Sequence, residues 1–164
     1  MKLILAFAVL FMSACANASD DSISISKSTL THKAYYWIGL DEREDRYLLK
    51  DILGVDPVKT EWCAAFVNMV LLENDIPTSA SVSRHPLTAR SFLKWGTKVS
   101  VPTQGDILVF KRGNSNWQGH VGFYVSETVV DNQLYYYVLG GNQNNEVSID
   151  MYPASKLLGI RRAE

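Results

Sequence analysis

Thr60-Glu61-Trp62-Cys63-Ala64-Ala65-Phe66-Val67 is the stretch on which the reading of the fold turns. Cys63, Phe66, Val67, Val70 and Leu71 recur at helical spacing, which predicts a helix from about Glu61 to Glu73 with one apolar face. Thr60 is the expected N-cap, and it would place Cys63 in the first turn. The helix dipole and the free backbone N–H groups there favour an anion, so the thiol pKa is expected to fall. A thiolate so placed suits nucleophilic catalysis. The ordinary alternative is a core cysteine, since free cysteine is among the most buried residue types.

Before this helix, the spacing predicts a short helix from about Thr31 to Leu40 and a second from Asp41 to Leu53, stopped at Gly54. Asp56-Pro57 marks a turn. After it come a loop rich in serine and threonine at 78–86 and a short helix from Thr88 to Trp95, closed by Gly96. The texture then changes. Residues 106–110, 120–125, 134–139, 147–149 and 158–161 are short β-prone runs separated by Gly, Asn, Asp or Pro. Helices first and strands after predict an α+β fold, with N-terminal helices packed on a small antiparallel sheet.

The chain has 164 residues, 47% hydrophobic and 20% charged, which fits one globular domain over 31–164. A formal net charge of −1 and the lack of a basic run argue against nucleic acid as a partner. Residues 1–18 have the form of a secretory leader: Lys2, an apolar run from Leu3 to Met12, then small residues ending at Ala16-Asn17-Ala18. Cleavage after Ala18 would release a soluble protein. Met12-Ser13-Ala14-Cys15 also resembles a bacterial lipobox, in which Cys15 would be acylated and hold the protein at a membrane. Either route predicts export, to the periplasm or beyond. Residues 19–30 are polar and serine-rich and are expected to form a flexible lead-in. With Cys15 removed or acylated, Cys63 has no intramolecular partner, and an unpaired thiol in an oxidising compartment is either buried or used.

His120 opens the run Val121–Val125, on the same strand face as Gly122 and Tyr124. Imidazole is the usual base for an activated cysteine, because its pKa lies near the working pH. A lone histidine is more often a local hydrogen-bonding residue. Leu139-Gly140-Gly141-Asn142-Gln143 follows the next run, and an amide oxygen there could accept the second ring N–H. Taken alone, that stretch is a glycine-asparagine turn.

Taken together, Trp62-Cys63-Ala64-Ala65-Phe66-Val67, Ala89-Arg90-Ser91-Phe92-Leu93-Lys94-Trp95-Gly96, Gly105-Asp106-Ile107-Leu108-Val109-Phe110, Gly119-His120-Val121-Gly122-Phe123-Tyr124, Leu139-Gly140-Gly141-Asn142-Gln143 and Leu157-Leu158-Gly159-Ile160-Arg161-Arg162 resemble the motifs of CHAP and NlpC-type cysteine peptidases and amidases. The resemblance runs from about Thr31 to Arg162 and implies a papain-like core. It implies an exported cysteine hydrolase that cuts an amide bond in peptidoglycan, as an N-acetylmuramoyl-L-alanine amidase or a stem-peptide endopeptidase. Cys63 would be the nucleophile, His120 the base and Asn142 the residue that orients the ring. Many CHAP enzymes carry a glutamate two residues before that asparagine. Gly140 stands there in this chain, so the role falls to Asn142, with Gln143 as substitute.

Asp106 is expected to hold the start of its strand through local N–H groups. Trp62 and Trp117 flank the dyad in sequence and either wall the cleft or pack beneath it. No cofactor is expected, and with Cys63 and His120 engaged no four-ligand zinc set remains. Rival readings use the same site in an amidase toxin, which would have an immunity protein as partner, or in an acyltransferase. A further rival is a non-catalytic lipoprotein that binds the cell wall.

Overall fold

The computed structural model describes residues 30–164. The leader, Cys15 and residues 19–29 lie outside the described residues. Residues 30–35 are helical, and Leu30, expected to end the lead-in, is buried in the core. The second helix is shorter than expected: α1 spans Arg46–Leu53 and ends on Gly54 in the left-handed conformation. Residues before it are held in turns by Asp41, whose Oδ1 accepts from the N–H groups of Arg43 and Glu44.

The cysteine helix, α2, spans Cys63–Leu72, and its N-cap is Trp62 rather than Thr60. Nine of its ten residues are buried, so it is a central helix and not an amphipathic surface one. Asn68 is its one polar residue, and the structure uses it. Its Nδ2 donates to Pro86 O, and its Oδ1 accepts from Ser79 N–H, pinning the serine-rich loop across the helix. The expected helix at 88–95 is a 3₁₀ segment, Ala89–Lys94. No helix among the described residues is long and apolar enough to cross a membrane.

The sheet has six strands, β1 (Thr97–Val99), β2 (Ile107–Lys111), β3 (Gly119–Val130), β4 (Gln133–Gln143), β5 (Glu146–Pro153) and β6 (Leu157–Arg162). Their order is β1-β6-β2-β3-β4-β5, and every pairing is antiparallel. Mixed helix and sheet in this arrangement gives the α+β architecture expected of the sequence. Ile107, Val109, Val121, Phe123 and Leu139 pack with α2 in the main core, while Leu108, Phe110, Tyr136, Val138 and Ile160 form a second cluster. The two hairpins turn on Asp131-Asn132 and Asn144-Asn145, all four at positive φ, as tight two-residue hairpin turns of type I′ require.

Asp106 is structural, as expected. Its Oδ2 accepts from Thr103 N–H, and both carboxylate oxygens accept from Arg162 at 2.7–2.8 Å. A bidentate pair of this kind fastens the entry of β2 to the end of β6.

Two glycine positions set the approach of β4 to the N-terminal end of α2. A methyl group on Gly141 would lie 2.7 Å from Phe66 Cβ and would collide with the Trp62 ring. Trp62 itself is fully buried under this glycine, and its indole N–H donates to the buried Glu42. It therefore packs, and does not wall a cleft. Gly140 faces the other way, towards His120.

Candidate active site

Cys63 is the first residue of α2 and is only 4% exposed, yet it lies at the floor of an open cleft of about 320 Å³. Glu61, Arg112, Trp117 and Gln118 form part of its walls. The backbone N–H groups of Val121 and Ala64 lie near enough to the sulfur to favour its anion. Val121 directly follows His120, so the thiol sits against the peptide that carries the imidazole.

Burial pushes the Cys63 thiol up to about 11, and the two backbone donors and the Arg112 charge only partly oppose it. The lowered pKa expected from the helix N-terminus is thus overturned: desolvation of the anion outweighs the dipole. Burial also pushes His120 down to about 4, with the Gln143 hydrogen bond acting in the opposite sense. Both shifts point the same way, to a resting pair of neutral thiol and neutral imidazole.

The tautomer of His120 follows from its neighbours. Gln143 Nε2 donates to Ser148 O at 2.7 Å and to Val138 O at 3.2 Å. With the amide nitrogen committed to two carbonyls, Gln143 Oε1 faces the ring and lies 2.9 Å from His120 Nε2. An amide oxygen only accepts, so Nε2 carries the proton. Nδ1 is left as a bare lone pair, and it is buried with no hydrogen-bond partner. A buried acceptor without a partner is costly in a structure and is common where chemistry uses it. Tyr152 stacks on the imidazole at 4.8 Å and 11°, fixing the plane of the ring.

Asn142 does not make the contact expected of it. Its Nδ2 donates instead to Glu61 Oε2 at 2.7 Å, at the cleft rim. The cause is a β-bulge. Gly140 pairs with Ser148 and Gln143 with Glu146, so β4 advances three residues while β5 advances two. Asn142 takes up the extra residue at φ 58°. One inserted residue reverses the alternation of side chains, so Gln143 shares the face of Gly140 and Asn142 does not. The space a side chain at 140 would enter is filled by Gln143: a methyl there would lie 3.1 Å from Gln143 Oε1 and 3.3 Å from His120 Nε2.

The model of the CHAP domain matches residues 55–142, more than half of the chain. The chain belongs to the CHAP domain family. No curated protein and no solved structure gave a match. CHAP domains are generally cysteine hydrolases of amidase or peptidase type that act on peptidoglycan. The CHAP match takes in Cys63, His120 and Asn142 and ends one residue before Gln143.

Three residues of this CHAP site were missed by sequence reasoning. Tyr152 lies on β5, 32 positions beyond the histidine it stacks on, and nothing local marks it. Glu61 and Arg112 face each other at 3.9 Å across the cleft rim. Glu61 stands two residues before the cysteine and could have been suspected from that position alone. Among the described residues no three His, Cys, Asp or Glu side chains gather as metal ligands would.

The neutral pair has a measurable consequence. Alkylation of Cys63 by an uncharged reagent such as iodoacetamide is expected to rise about tenfold per pH unit through neutrality, with the thiolate population below about pH 11. A rate that is already flat between pH 5 and 8 would mean a resting thiolate–imidazolium pair and would overturn this assignment.

Proposed function

We propose that this chain is an exported cysteine hydrolase of papain-like architecture that cleaves an amide bond in peptidoglycan. Cys63 is the nucleophile, His120 the general base and Gln143 the residue that holds the ring. The observation that carries this reading is the bare, buried Nδ1 of His120, on a ring whose other nitrogen is fixed by Gln143, in a strand whose next residue, Val121, acts through its N–H on the only described cysteine, which lines a cleft. Export rests on the leader-like residues 1–18.

The mechanism follows from the neutral pair. As the sulfur attacks the amide carbonyl, its proton passes to Nδ1, so charge develops only in the transition state. The carbonyl oxygen becomes an oxyanion near the N-terminus of α2, where the N–H of Cys63, the first residue of the helix, has no intrahelical acceptor and can stabilise it. The imidazolium then returns its proton to the leaving amine. Water, deprotonated by the same Nδ1, hydrolyses the thioester and frees the thiol. Arg112 lowers the cost of a thiolate in the cleft, since its charge acts on the Cys63 sulfur.

Digestion of purified peptidoglycan by the mature protein, followed by mass spectrometry of the soluble fragments, tests the reading. Intact stem peptides released from the glycan would identify an amidase, and split stems or cross-links an endopeptidase. Release no greater than that given by Cys63→Ala would refute hydrolysis of the wall.

A further inference from the structure

A second cavity adjoins the cleft, and Thr88 and Trp117 line both. Its other walls carry hydroxyl, amide and basic groups, among them Ser83, Ser91, Asn116, His85 and Lys94. Trp117 stands on the partition between the two cavities with 67% of its surface exposed. What distinguishes it from the other exposed side chains is its place: its flat apolar face borders the cleft that holds Cys63.

The loop that carries Trp117 is braced. Gln118 Oε1 accepts from Ser115 N–H, and Gln118 O accepts from Arg90 Nε at 2.7 Å. Gly113, at φ 61°, passes so close to the Gln118 side chain that a methyl group there would collide with it. The indole is therefore presented on a shaped loop, and ordering it on binding costs little.

We infer that Trp117 and the second cavity bind a sugar of the glycan strand while the attached peptide amide lies over Cys63. A pyranose ring has an apolar C–H face and a rim of oxygen acceptors. A flat, exposed aromatic surface flanked by hydroxyl, amide and basic donors matches both features. The inference rests on the reading of the site as a wall hydrolase and narrows its substrate to a glycopeptide.

Two measurements test it separately from that reading. The first compares kcat/KM on an N-acetylated amino-sugar disaccharide carrying the peptide with that on the same peptide capped by acetyl, which keeps an amide at the same position. The glycopeptide is expected to be preferred about tenfold or more, and Trp117→Ala is expected to bring that ratio close to one, chiefly through KM. Equal rates on the two substrates in the wild type, or an unchanged ratio in Trp117→Ala, would overturn the inference while leaving the hydrolase intact. The second measurement needs no turnover. Titration of Cys63→Ala with the disaccharide alone is expected to change tryptophan fluorescence saturably, and Cys63→Ala/Trp117→Phe is expected to lose that change. No change in the first protein, or the same change in both, overturns the sugar site whatever the hydrolysis assays show.

Discussion

Cys63→Ala and His120→Ala are each expected to lower kcat/KM on peptidoglycan fragments by about 10⁴-fold or more, to the limit of detection. Cys63 is the one thiol among the described residues and it lines the cleft, with burial holding it protonated up to about 11. Without a base beside it, the thiolate fraction at neutral pH is too small to sustain turnover. The two residues act on one proton, so the double variant is expected to be no slower than either single one. Cys63→Ala removes one sulfur from a site at the cleft floor and is expected to fold normally. His120→Ala opens a space beside Tyr152 and Gln143, so its thermal stability must be read alongside its rate. Iodoacetamide labelling separates a lost base from a lost fold: in a folded His120→Ala protein burial still holds the Cys63 thiol up near 11 and labelling at neutral pH is slow, whereas an unfolded chain exposes an ordinary thiol and is labelled faster. Hydrolysis by His120→Ala at a tenth of the wild-type rate or more would remove His120 from the mechanism.

The parts of this molecule legible in its sequence are those fixed by local periodicity. The centre of α2 followed from apolar spacing around Cys63, and each β-prone run from 106 to 161 lies within or across an observed strand. The strand ends did not follow, because β3, β4 and β5 run on into hairpin turns made by non-glycine residues at positive φ, Asp131, Asn132, Asn144 and Asn145. β1 was missed: Thr97-Lys98-Val99 is three residues long and is held by its pairing with β6 rather than by any pattern of its own. The thiol pKa was misjudged for a tertiary reason. The position of Cys63 on its helix was legible, but the strands that close over it, and remove it from water, were not. Trp62 was ambiguous for a similar reason, since only the path of Gly141 above it decides that it packs. The bulge in β4 was invisible, because Gly140-Gly141-Asn142-Gln143 permits regular and irregular strand alike.

That bulge decides the last expectation. Gln143→Ala is expected to slow hydrolysis by roughly 10–1000-fold, mainly in kcat, whereas Asn142→Ala is expected to stay within about threefold of wild type. Gln143 holds His120 Nε2 from one side and is itself held by Ser148 O and Val138 O, so its oxygen cannot turn away without losing two hydrogen bonds. Removing it frees the ring to rotate and lets the proton move to Nδ1, where the lone pair is needed. It also orphans two carbonyl contacts, so a stability loss of about 1–3 kcal/mol is expected beside the kinetic one. A merely structural role would stop there. A positioning role also changes the ring itself: nitrogen NMR of His120 is expected to show the Nε2–H form in the wild type and a mixture of tautomers in Gln143→Ala. The side-chain hydrogen bond described for Asn142 runs to the exposed Glu61 carboxylate, 2.7 Å away at the rim, and not to the imidazole, so its loss is expected to leave ring and tautomer untouched. Should Asn142→Ala prove the slower enzyme, with the His120 tautomer disturbed in it and preserved in Gln143→Ala, the orienting role would belong to Asn142 after all, and the bulge would have to unwind when substrate binds.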